Sequence, residues 1–243
     1  MLSVQGRTQF NLDRVGAALI MIEVTHEGAD VSSRPQSARE EVVNSVVHGA
    51  ALLASVAAIP FLFQLTESTP NRAVNIVGSI VFAATLVLLY LCSTLYHALP
   101  EGRARQLLLR LDHGAIYLFI AGSFTPFAMA SLDAASGWML LALVWLLAAL
   151  GFTLKVCGRL SHPLVSTGLY LLMGWMVLTI AAPLIARLPP SATSWLIAGG
   201  IAYTVGVVFF VLDARLRYAH AIWHGFVVAG TSCHFVTVVG LSH

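Results

Sequence analysis

Seven stretches of this chain contain no Asp, Glu, Lys or Arg: residues 42–66, 73–100, 113–132, 134–154, 160–186, 188–212 and 218–243. A helix needs about 20 largely apolar residues, at ~1.5 Å rise each, to cross a ~30 Å hydrocarbon core. Every stretch is long enough to span once. Inside lipid the backbone must satisfy its own hydrogen bonds, which leaves helices or closed barrels. Barrel strands are about ten residues long and alternate in polarity, whereas these runs are long and apolar all round. The pattern predicts an all-α membrane protein, a bundle of seven transmembrane helices.

Composition closes off the alternatives. The chain is 58% hydrophobic and 10% charged, against about a quarter charged in an ordinary soluble domain. A net charge of +2, with scattered Arg residues, excludes a basic nucleic-acid binder. The expected partner is membrane lipid, not nucleic acid. Cys92, Cys157 and Cys233 fit neither a CxxC motif nor an even-numbered disulfide framework, and are read as small packing residues. Thr69-Pro70-Asn71, Pro100-Glu101-Gly102, Ser136-Gly137 and Pro189-Pro190-Ser191 separate the runs. Pro60, Pro126 and Pro183 lie inside runs, where membrane helices tolerate kinks.

Residues 1–40 differ from the rest. Their one apolar patch, Val15 to Ile22, is too short to span and is followed at once by Glu23, a poor signal peptide. They read as a mobile cytoplasmic tail, with Met21 an alternative start, ahead of a transmembrane domain over 41–243. Lys and Arg set orientation. Eleven fall on the side of the tail and the second-to-third, fourth-to-fifth and sixth-to-seventh loops, and two, Arg72 and Arg187, on the other. The N-terminus is therefore expected inside and the C-terminus outside, in a multi-pass protein of the cell (inner) membrane.

Polar groups within spans are costly and are functional candidates by default. Glu41, Asn44 and His48 share one helix face at i, i+3 and i+7; Ser93 and His97 are spaced i, i+4; Asp112 opens the third span; His220 and His224 are spaced i, i+4 at the start of the seventh. With the expected topology, all sit toward the cytoplasmic end. Three imidazoles with a water in the fourth position make a catalytic-type zinc site, and a nearby carboxylate takes the water's proton. His97, His220 and His224 are the candidate ligands and Asp112 the candidate base. Blander readings of the same residues remain: interfacial histidines bonding headgroups, Glu41 as a helix-terminal charge, and Asn44 and Ser93 as interhelical hydrogen bonders. His113 points about 100° away from Asp112 and reads as interfacial. His234, ten residues beyond His224, lies roughly 15 Å further along a regular helix, outside the same coordination sphere. Trp138, Trp175, Trp195 and Trp223 read as interfacial belt residues.

The motifs Glu41-x-x-Asn44-x-x-x-His48, Ser93-Thr-Leu-Tyr-His97, Leu111-Asp112-His113-Gly114, Ala121-Gly122-Ser123-Phe124-Thr125-Pro126-Phe127, His220-Ala-Ile-Trp-His224 and Cys233-His234-Phe235 together resemble the hemolysin III family. This is the bacterial branch of the progestin and adiponectin receptor (PAQR) family. The resemblance covers roughly residues 40–240. It implies seven helices with the N-terminus inside and a Zn2+ ion held by His97, His220 and His224. It also implies that Asp112 and Ser93 hold the metal-bound water, with Glu41, Asn44 and His48 as the family's first motif beside them. Relatives are grouped with metal-dependent membrane hydrolases and linked to ceramide hydrolysis and membrane-lipid homeostasis. The expected function is thus zinc-dependent hydrolysis of lipid amides or esters. The alternative is a non-enzymatic protein with structural zinc, pore-forming (cytolytic) or lipid-sensing. A proton-coupled transporter fits less well, since no Lys, Asp or Glu lies at mid-membrane.

Overall fold

A computed structural model describes residues 34–66, 72–131 and 134–241. Residues 1–33, which hold most of the expected tail and Met21, lie outside the described residues. The chain runs α1 (Ala38–Thr66), α2 (Arg72–Ala98), α3 (Arg103–Ser131), α4 (Ala134–Val156), α5 (Pro163–Trp175), a 3-10 segment (Met176–Ile180), α6 (Ala181–Arg187), α7 (Pro190–Leu212) and α8 (Ala219–Gly240). Among the described residues, seven helical segments are long and apolar enough to cross a membrane. The protein is an all-α, multi-pass membrane protein.

Local sequence explains the ends. Ser37 and Glu40 form a reciprocal cap at the start of α1: Ser37 N–H donates to Glu40 Oε2 at 2.9 Å, and Glu40 N–H donates to Ser37 Oγ at 3.4 Å. The boundary expected at residue 40 therefore falls inside a helix. Proline opens α5 and α7, where its missing N–H costs nothing. Gly158 closes α4 at φ 71°. Its N–H reaches Lys155 O at 3.0 Å and that of Arg159 reaches Leu154 O at 2.9 Å, a left-handed cap that satisfies the last carbonyls.

Two expectations are corrected. Asp112 does not open its helix: α3 starts at Arg103, because Arg, Gln and Leu extend a helix readily beyond the charge-free run. Asp112 is thus its tenth residue, more than two turns in. The fifth run is not one kinked helix. It breaks into α5, the 3-10 segment and α6, since Pro183 has no N–H to offer the carbonyl of residue 179; within the first turn of α6 that lack costs nothing.

The helix α3 packs against α2, α4, α5, α6 and α8, while α1 packs on both α2 and α8, and α7 on α5 and α8. Interfaces are close where side chains vanish. A Cβ on Gly122 would lie 1.9 Å from Thr85 Oγ1, and one on Gly206 would lie 2.7 Å from the Phe226 Cβ. Small residues let membrane helices approach in this way, since lipid supplies no hydrophobic drive between them. Large aliphatics such as Leu53, Leu146 and Leu172 face outward, toward the hydrocarbon. Trp138, Trp175 and Trp195 are exposed, but Trp223 packs inward on Phe210, 5.5 Å between ring centroids. All three cysteines are free; Cys92 is buried, Cys157 sits exposed in the turn after α4, and Cys233 is intermediate. Cys157 is therefore not a packing residue.

Candidate metal centre

Two histidines one turn apart, His220 and His224, share a face at the start of α8, and His97 arrives from the end of α2. One ring nitrogen from each lies within 4.8 Å of the others, and all three residues are buried. The ring centroids are 4.5–5.1 Å apart and the rings are steeply tilted, at 63–72°. Three imidazoles thus converge on one point from two helices.

Carboxylates hold two of these rings from behind. Glu41 Oε2 lies 2.6 Å from His97 Nδ1, and the other oxygen of Glu41 accepts from Arg105, which also pairs with Glu101. Asp213 Oδ2 lies 3.1 Å from His220 Nδ1. An ionised carboxylate only accepts, so both Nδ1 atoms carry the proton and both Nε2 atoms keep a lone pair. His97 Nε2 is buried with no hydrogen-bond partner, as is His224 Nδ1. Orphaned imidazole nitrogens beside carboxylate-anchored rings are the arrangement that metal-ligating histidines adopt. The donor set fits a metal ion.

The other candidates divide. His48 stacks on His224, 3.6 Å between centroids at 13°, and meets Tyr90 edge-on at 5.0 Å. It buttresses the cluster without belonging to it. Asn44 is fully buried, and its Nδ2 donates to Gln36 Oε1 at 2.6 Å. Ser93 is fully buried with an unpartnered Oγ, and Asp112 is also buried. Both line, with His48, His220 and His224, one end of a cavity of about 360 Å³. Asp112 is not among the groups that converge on the metal point. His113, expected at the interface, lines this cavity instead and meets Phe210 edge-on at 6.4 Å: α3 sits amid its neighbours, so 100° of rotation leads to another helix, not to lipid.

The cavity runs along α8 to His234, roughly 15 Å at the helical rise. Phe119, Phe124, Phe127, Leu184 and Leu196 line its body. Trp175, Leu178, Ile185, Ile197 and Ile201 line it too and are also exposed on the outside of the bundle. The gap between the broken fifth crossing and α7 therefore opens sideways.

Sequence reading missed Gln36, Glu40, Arg105 and Asp213. The spacing Ser37-x-x-Glu40 carried a capping signal. Asp213 carried none, because a helix break lies between it and His220.

Comparison with known proteins places this arrangement. Residues 36–235 match the family model described as Haemolysin-III related. The chain belongs to that family. It is 37% identical over 201 residues to the Hemolysin-3 homolog of Bacillus subtilis (strain 168), covering 83% of this chain and 93% of the relative. It is 38% identical over 204 residues to Hemolysin-3 of Bacillus cereus, covering 84% and 92%. Monocyte to macrophage differentiation factor of Homo sapiens is 24% identical over 208 residues, covering 82% and 83%, which ties this haemolysin III-type chain to the wider PAQR family.

Proposed function

We propose that this haemolysin III-type protein is a zinc-dependent hydrolase of lipid amides or esters, acting in the cell membrane in membrane-lipid homeostasis. The observation that carries the reading is the junction of two features: three buried histidines whose ring nitrogens converge on one point, and an apolar cavity that opens sideways, sharing one end with Asp112 and Ser93. Three neutral imidazoles and an open fourth position suit zinc. Zinc there would polarise the scissile carbonyl and acidify a water.

The chain's own residues supply the remainder. The acyl tail enters between the fifth crossing and α7 and lies along the apolar walls, which exclude bulk water. The Ser93 hydroxyl, fully buried and lining the same end of the cavity as Asp112, donates to the substrate carbonyl or to Asp112. An Asp112 carboxylate oxygen takes the proton of the attacking water and returns it to the departing amine or alkoxide. The eleven-to-two distribution of Lys and Arg supports an inside N-terminus and so a site toward the cytoplasmic side. The apolar body of the cavity disfavours a water-filled pore.

The test is a panel of lipid amides and esters offered to zinc-loaded and chelator-stripped protein. Zinc-dependent release of fatty acid is expected from at least one class. Stoichiometric zinc with no turnover across the panel would replace this reading with a lipid sensor holding structural zinc.

A further inference from the structure

The loop that delivers the metal-facing end of α8 is gripped at both ends by the start of α1. Tyr218, the residue before α8, has φ 61° and is the non-glycine residue with positive φ among the described residues. A bulky side chain in that left-handed region is strained, and such a backbone persists only where its surroundings hold it. The holder is Glu40, which is 2% exposed. Its Oε1 accepts the Tyr218 N–H at 2.8 Å, while its Oε2 accepts the N–H and the hydroxyl of Ser37 at 2.9 and 2.8 Å. The other end of the loop is held through Gln36. Its Nε2 donates to Asp213 Oδ2 at 2.9 Å, and its Oε1 accepts from Asn44 Nδ2 at 2.6 Å. That same Asp213 oxygen faces His220 Nδ1.

We propose that Glu40 and Gln36 are positioning residues, forming a clasp that sets the direction of the first turn of α8 and so brings His220 and His224 to His97. His220 follows the strained Tyr218 by two residues, and His224 follows one turn later. If Tyr218 relaxed to an ordinary backbone angle, the axis of α8 would swing about its own start, and both histidines would move together. The clasp thus couples the geometry of the metal site to residues that touch no metal ligand directly: Gln36 reaches His220 through Asp213 and His97 through Asn44. The inference rests on the metal reading above.

The experiment uses the full chain in detergent, stripped of metal and titrated with Zn2+ alone against a chromophoric chelator. Glu40→Gln has one acceptor oxygen where the carboxylate has two, so it cannot serve Ser37 and Tyr218 together. Its zinc affinity should fall about 10–100-fold, the range for partners that orient metal ligands. Adding Tyr218→Gly to Glu40→Gln should restore most of the loss, because glycine adopts φ 61° without being held. Gln36→Ala should weaken zinc binding in the same direction and less. Unchanged affinity in Glu40→Gln overturns the clasp. So does a loss that Tyr218→Gly leaves untouched, since Glu40 would then act only by capping α1. If Glu40→Gln does not fold, Gln36→Ala decides, with unchanged affinity overturning the proposal. Wild-type protein that takes up no zinc overturns the metal reading itself, and is told apart by being seen before any variant is made.

Discussion

Replacing Asp112 by Asn separates chemistry from metal binding. Asp112 lies at the end of the cavity where the histidines also lie, beside Ser93, yet outside the trio whose nitrogens converge within 4.8 Å. Asn keeps the volume and one acceptor oxygen and removes the proton acceptor. Because it takes a carboxylate out of a buried position, the change carries no charge-burial penalty and the variant should fold. A positioned general base contributes typically 10²–10⁴-fold, or about 2.7–5.5 kcal/mol of barrier. Hydrolysis of a lipid that the wild type cleaves should fall by about that factor, with zinc stoichiometry unchanged. The assay pairs elemental analysis and chelator competition with fatty-acid release at saturating lipid. Loss of zinc as complete as in a histidine variant would make Asp112 a direct ligand. Retained zinc with undiminished hydrolysis would remove the base role and with it the mechanism proposed here.

Three further outcomes follow from the same geometry. His220→Ala and His224→Ala should each abolish stoichiometric zinc by elemental analysis, whereas His234→Ala, about 15 Å away along α8, should retain it; the reverse pattern would move the metal to the other end of the cavity. Reporter fusions after Pro100 and after His243 should read cytoplasmic and external, and the opposite result would invert the proposed sidedness of the site. Gly122→Ala should destabilise the α2–α3 contact by about 1–3 kcal/mol, the range for overpacking, because its new methyl would sit 1.9 Å from Thr85 Oγ1; a thermal melt in detergent that does not shift would show that these helices separate freely.

The seven spans were legible in the sequence because each is a local fact: twenty uncharged apolar residues have one stable form in lipid, whatever the rest of the chain does. The pairing of His220 with His224 was legible for the same reason, since i, i+4 spacing on a helix fixes adjacency. That His97 joins them followed from depth along the helices together with motif resemblance. What lay beyond reach depended on rotation and breaks. The end of a charge-free run marks Asp112 as a helix start in the sequence, but helices continue through charged residues once they leave the hydrocarbon. Sequence gives the angle of His113 from Asp112 but not which helices surround α3, so its place in the cavity is not legible there.

Only the tertiary structure decided the shell around the histidines. Glu41 reaches His97 across 56 positions and Gln36 reaches Asp213 across 177, contacts that no periodicity encodes because they join separate helices and loops. The left-handed turn at Tyr218 was equally hidden, for nothing in the residue type favours it and a carboxylate 178 positions away holds it. Hydrophobic patterning along the chain determines how many times it crosses the membrane. Which polar groups meet between the crossings is set by the packing of whole helices against one another, and that is where the candidate chemistry lies.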